Sequence, residues 1–259
     1  MEQIWKEIRG NSPLVATAIH DGHMLRPEIV ENMALTDDER LREEDPFTAI
    51  WTQVSDNRLI GTHSRFEVDL NRPREKAVYI QPEDAWGLHV WKETPSTAIV
   101  NQSLANYDAF YAETHRLFTE LERNYGHFVV YDLHTYNHRR DGAKGAPADP
   151  TANPEVNIGT GTLNRDRWGT IIDCFIEELS AFDFLGRQLD VRENVKFRGG
   201  QLARWTHENF PESGCVMSIE FKKFFMDEWT GIPNKAYIEE IGCALQATTS
   251  VVRDVLRRI

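Results

Sequence analysis

Apolar and polar positions alternate along the chain in short blocks. Residues 14–19 (LVATAI) form an uncharged run, the mark of a strand buried on both faces. Pro27 then suits the first turn of a helix with Ile29, Val30 and Met33 on its apolar side. The acidic stretch 35–48 reads as a surface loop with a short helix. RLIGTH (58–63) predicts a strand. SRFEVDL (64–70) predicts another, because Phe66, Val68 and Leu70 alternate with Arg65, Glu67 and Asp69. KAVYI (76–80) reads the same way. The clearest helix spans 105–124, with Tyr107, Phe110, Leu117 and Leu121 on one face and Gly126 near a C-cap. FVVYDL (128–133), VNIGTG (156–161) and VMSIEF (216–221) predict further strands. Residues 170–186 and 235–257 predict helices, the second with Ile238, Ile241, Leu245, Val252 and Val255 at helical spacing. This alternation predicts an α/β fold of three layers, α/β/α, around a mixed, mostly parallel sheet. No repeat or shift in composition divides the chain, so residues 1–259 read as one domain.

Composition narrows the function. The chain has 259 residues, 41% of them hydrophobic, enough for a full core. Its net charge of -12 disfavours nucleic acid or an anionic membrane as partner. Three scattered cysteines, Cys174, Cys215 and Cys243, make neither a disulfide framework nor a cysteine-rich zinc site. The N-terminal stretch MEQIWKEIRGNSPLV lacks a long apolar core, and no run approaches a membrane span. A cytoplasmic protein acting on a small molecule is the expectation.

Chemistry concentrates where apolar runs end. The run at 14–19 ends in His20-Asp21-Gly22-His23, and FVVYDL ends in His134. Strands that deliver imidazoles at their carboxyl ends are a common way to build a metal site in an α/β protein. Gly22 permits a bend that would turn His20 and His23 toward one point. Strand alternation puts Asp132 and His134 on one side, where the aspartate would orient the ring. Glu44 and Asp45 are alternative oxygen ligands if His23 points away. Arg65 and Arg72 bracket a predicted strand, and Asn71 adds directed donors beside Arg72, a set suited to a carboxylate. Glu220 lies inside an apolar strand, where an unpaired carboxylate is costly. It needs a proton, a cation partner such as Lys222 or Lys223, or a catalytic role. Arg198-Gly199-Gly200-Gln201 matches no phosphate loop and reads as a turn whose glycines allow close approach of a ligand. Residues 141–154 form a Gly/Pro-rich loop able to act as a flap.

Together these segments resemble the N-formylglutamate amidohydrolase family, within the broader zinc-carboxypeptidase and aspartoacylase group. The resemblance runs from about Pro13 to the C-terminal helix. Its most specific part is SRFEVDLNRP (64–73), with DLHT (132–135), FRGGQLAR (197–204) and SIEF (218–221) in support. It implies a carboxypeptidase-like (phosphorylase/hydrolase-like) fold and a hydrolase carrying one zinc ion. His20 and His134 would be ligands, Glu220 the general base and Arg65 the group polarising the scissile carbonyl. Asn71 and Arg72, with Gly200, would hold substrate. The second ligand departs from the pattern of related enzymes: His23 stands where they have glutamate, so His23 is expected to complete the set as a nitrogen donor, with Glu44 or Asp45 as the alternative. A metallo-carboxypeptidase and a non-catalytic carboxylate-binding protein are the competing readings.

Overall fold

The computed structural model describes residues 3–259. Met1 and Glu2, which open the stretch read for a leader, lie outside the described residues. Seven strands form one sheet: β1 (Trp5–Ile8), β2 (Leu14–Ala18), β3 (Asn57–Gly61), β4 (Phe128–Tyr136), β5 (Val156–Gly159), β6 (Val191–Glu193) and β7 (Gly214–Lys222). Their order is β1-β3-β2-β4-β7-β5-β6. β3, β2, β4 and β7 run parallel, and so do β5 and β6. β1 is antiparallel to β3, and β5 to β7. The mixed, mostly parallel sheet is thus as the sequence predicts.

Helices cover both faces. Leu14, Ala16, Val129, Tyr131, Cys215 and Met217 face α3 (Thr48–Trp51), α5 (Arg165–Ala181) and α7 (Lys235–Leu256). Val15, Val130 and Val216 face the other way, toward α4 (Thr97–Tyr125) and α6 (Gln201–Asn209). Two shorter helices, α1 (Pro27–Asn32) and α2 (Asp37–Glu43), follow β2. The periodicity at 105–124 belongs to a longer helix, which begins two turns earlier where Ser96 caps the Ile99 amide.

Two expectations change. SRFEVDL is a turn and an irregular segment. Its alternation is real, but Glu67 and Asp69 are as buried as Phe66 and Val68. Glu67 accepts from Arg26 and lies 3.0 Å from His63 Nδ1, and Asp69 accepts from Arg65, so both faces of the segment are satisfied without strand pairing. KAVYI likewise begins inside a short 3-10 turn and continues without strand pairing, and the chain around it packs in a small cluster of Phe66, Tyr79, Ala85 and Val90. The glycine-containing turn at 198–201 runs directly into α6.

Along the α4-facing side, apolar residues give way to polar ones toward the carboxyl ends of the parallel strands. On β4 the series is Val130, Asp132, His134, and on β7 it is Val216, Ser218, Glu220. The register sets Asp132 beside both Thr17 and Ser218, and His134 beside Glu220. The site lies at this edge.

Candidate metal centre

His20, Asp45 and His134 come together, each offering an atom within 4.8 Å of the others. The two rings are 5.0 Å apart by centroid. Asp45 Oδ2 lies 3.0 Å from His134 Nδ1 and 3.4 Å from His20 Nδ1. The opposite nitrogen of each ring meets a different carboxylate: His20 Nε2 is 2.7 Å from Asp69 Oδ1, and His134 Nε2 is 3.1 Å from Asp132 Oδ1. The Nδ1 atoms of both rings thus face Asp45, and the tautomer of each ring decides which nitrogen carries its proton. A carboxylate behind each imidazole orients the ring, as at metal sites.

The supports are built from both sides of the sheet. Asp132 accepts from the Thr17 hydroxyl at 2.7 Å and the Ser218 hydroxyl at 3.2 Å. Asp69 accepts from Arg65 at 2.7 Å and from the Tyr79 hydroxyl. Asp45 accepts from the Thr135 hydroxyl at 2.9 Å, and its amide donates to the His20 carbonyl at 2.9 Å. Burial works against the charge on Asp45 and Asp69. The imidazoles beside Asp45, and Arg65 with His20 beside Asp69, nevertheless hold both below the usual carboxylate range. Burial likewise opposes the His134 cation, and Asp132 more than offsets it, raising that pKa well above the ordinary value.

A cation suits this set. His20 Nδ1 is buried and has no hydrogen-bond partner among the described residues. Two nitrogens and one carboxylate oxygen form a donor set suited to zinc and leave a coordination position open. Four carboxylates, Asp45, Asp69, Asp132 and Glu220, surround the two imidazoles.

His23 does not join the cluster. Its Nδ1 lies 2.6 Å from Glu44 Oε2, and its Nε2 accepts from Arg40 at 3.2 Å. After His20 the chain turns along residues 62–64, where Met24 exchanges backbone hydrogen bonds with Thr62 and Ser64. A Cβ on Gly22 would sit 2.4 Å from the Thr62 backbone, so the turn hugs that segment and carries His23 outward. Glu44 is also engaged elsewhere, by the Ser64 hydroxyl and His23. Asp45, rather than His23 or Glu44, is therefore the third member of the cluster.

Glu220 faces the same cavity, of about 320 Å³, which Arg65, Asn71, Arg72, Arg140 and Arg198 also line. Burial pushes the Glu220 carboxyl up to about 8 against the pull of His134. It makes no ion pair among the described residues. Lys222 and Lys223, its expected cation partners, donate instead to main-chain carbonyls. Arg65 is tied to Asp69, to the Tyr79 hydroxyl at 3.2 Å and to the Glu43 carbonyl at 3.3 Å. Arg72 is 40% exposed, and its nearest carboxylate, Asp69, is 3.8 Å away, so its guanidinium is available to a ligand. Asn71 Nδ2 lies 3.2 Å from His134 Nε2, and its Oδ1 accepts from the Leu202 amide at 3.0 Å. A Cβ on Gly200 would stand 2.4 Å from that amide group, so glycine lets the start of α6 close over Asn71. Arg140 reaches from the edge of loop 141–154 to Glu43 through two hydrogen bonds of 3.0 and 2.9 Å. Trp86 also lines the cavity, with the Arg65 guanidinium 4.9 Å from its ring. Residue spacing did not reveal Trp86, Arg140 or Lys223 as cavity residues, nor Asp69 as the carboxylate behind His20. Asp69 could have been found from its place in the DLNR run.

Paired imidazoles and a carboxylate thus gather at the carboxyl edge of a mostly parallel sheet, above an arginine-rich cavity, in a protein of the α/β class. More particularly, the chain belongs to the N-formylglutamate amidohydrolase family, whose model matches residues 12–224. The solved N-formylglutamate amidohydrolase of Ralstonia eutropha JMP134 has a similar fold, with a TM-score of 0.74 at 16% identity over 98% of each chain. A gene product of Agrobacterium tumefaciens gives 0.66 at 15% identity, over 98% of this chain and 96% of its own. A putative carboxypeptidase A from Shewanella denitrificans OS-217 aligns over 97% of this chain and 61% of its own, at 14% identity and a TM-score of 0.42. No curated protein sequence matches the chain. Among the described residues no helix is long and apolar enough to cross a membrane.

Proposed function

We infer that this protein is a metal-dependent amidohydrolase, carrying one zinc ion, that cleaves the amide bond of an N-acyl amino acid or related small carboxylate. The observation that carries this reading is the convergence of His20 Nδ1 and His134 Nδ1 on the Asp45 carboxylate, beside Glu220. Bound by these three side chains, zinc would supply Lewis acidity and a water of pKa ~7. The chain's own residues do the rest. Glu220, opposite His134 on the neighbouring strand, accepts the proton of the attacking water and delivers it to the leaving amine. Arg65, held in place by Asp69 and Tyr79, presents positive charge to the acyl oxygen as it becomes an oxyanion. Arg72 and Asn71 bind the substrate carboxylate, and Gly200 shapes that end of the cavity. Asp69 and Asp132 keep the imidazoles oriented through turnover. The arginines that line the cavity fit a small anionic substrate.

The test is a panel of N-formyl and N-acetyl amino acids and dipeptides, offered to zinc-loaded wild type and Glu220→Gln. Wild type hydrolyses the N-acyl amino acids. The variant is slower by ~10²–10⁴ and retains its metal. Wild-type turnover in the variant removes Glu220 from its role. Hydrolysis of dipeptides alone makes the protein a peptidase.

A further inference from the structure

The buried ammonium of Lys223 has no carboxylate partner among the described residues. Its side chain is 1% exposed, and its Nζ donates to the carbonyls of Arg42 at 2.6 Å and Glu44 at 2.7 Å. These carbonyls belong to the end of α2, where helix geometry leaves acceptors unpaired and the helix dipole is negative. The carbonyl between them, that of Glu43, accepts from Arg65, and Asn137 Nδ2 adds a second donor to Arg42 at 2.8 Å. Three successive carbonyls are thus fixed by side chains that also line the cavity. The next residue is Asp45. We propose that Lys223 is a positioning residue of the metal site, pinning the end of α2 so that the Asp45 carboxylate meets both imidazoles. A lysine is an expensive way to fill space in a core, and an apolar side chain of similar length would pack there at lower cost. What the ammonium adds is a rigid two-point hold on the backbone that carries Asp45.

This inference rests on His20, Asp45 and His134 being the metal ligands. The experiment measures zinc affinity by competition with a chelating dye, on folded wild type and Lys223→Met, with melting temperatures recorded alongside. The expected result is a zinc Kd ~10–100-fold weaker in the variant, the range for losing an outer partner of a metal ligand. A purely structural lysine would change the melting temperature and leave the Kd alone, and that outcome overturns the proposal. Wild type that takes up no zinc overturns the metal reading itself. Should Lys223→Met not fold, Asn137→Ala carries the test. It removes the second donor to the Arg42 carbonyl and is expected to weaken zinc binding in the same direction. An unchanged Kd there counts against the proposal.

Discussion

Glu220 gives the most quantitative prediction, because its proton can be followed without substrate. In metal-stripped protein its carboxyl titrates near 8 in the folded state, against an ordinary value of 4.5. The folded state therefore holds a proton that the unfolded chain releases across that window. For a group with a raised folded pKa, its contribution to stability is complete below the unfolded value and is lost as pH rises through the folded one. The full difference corresponds to about 5 kcal/mol at 1.36 kcal/mol per pKa unit. Relaxation around the new charge reduces this, so a change of about 2–4 kcal/mol between pH 5 and pH 9 is expected. Glutamine keeps the shape and cannot ionise. Urea unfolding of wild type and Glu220→Gln in the presence of chelator, at pH 5 and pH 9, reads the effect directly. Wild type should lose that amount relative to the variant on going to pH 9, while other titrating groups cancel in the comparison. Parallel pH profiles would refute the burial of Glu220 as a neutral acid and, with it, its fitness as a base poised near neutrality.

Two substitutions probe the cavity walls. Gly200→Ala places a methyl 2.4 Å from the Asn71 amide. Steady-state kinetics should show kcat/KM falling by about tenfold or more, with far-UV circular dichroism unchanged, because displaced positioning groups cost rate before they cost fold. Arg72→Ala removes a half-exposed guanidinium whose nearest carboxylate is 3.8 Å away. KM for carboxylate substrates should rise about tenfold or more, while urea unfolding shifts by no more than ~0.5 kcal/mol, as for surface positions.

The parts of this structure legible in the sequence are those whose signal is local. β2, β4 and β7 are continuous apolar runs because both faces of the sheet are covered, and the polar residues ending each run mark the functional edge. His20, His134 and Glu220 could be read from that change alone, and the structure sets them around one cavity. Segment 64–70 imitates a strand because its charged residues are buried by partners from remote parts of the chain, which no local pattern records. β1 and β6 are edge strands of four and three residues with partly exposed side chains, too short for a period to develop. α6 is masked by the two glycines before it, and Leu202, Ala203 and Thr206 alone of its residues are buried. The direction of His23 depends on how closely Gly22 passes the Thr62 backbone, a tertiary fact. Spacing could not separate Glu44 from Asp45, because neighbouring residues at a helix end point to different sides. Here Glu44 turns to Ser64 and Asp45 to the imidazoles.

The central claim is that two imidazoles and one carboxylate hold the metal. X-ray absorption at the zinc edge of protein loaded with one equivalent counts imidazole ligands directly. Two, with the remaining light-atom ligands attributable to Asp45 and solvent, is the predicted result. Three imidazoles, which would bring His23 inward, or failure to retain zinc at all, would contradict it.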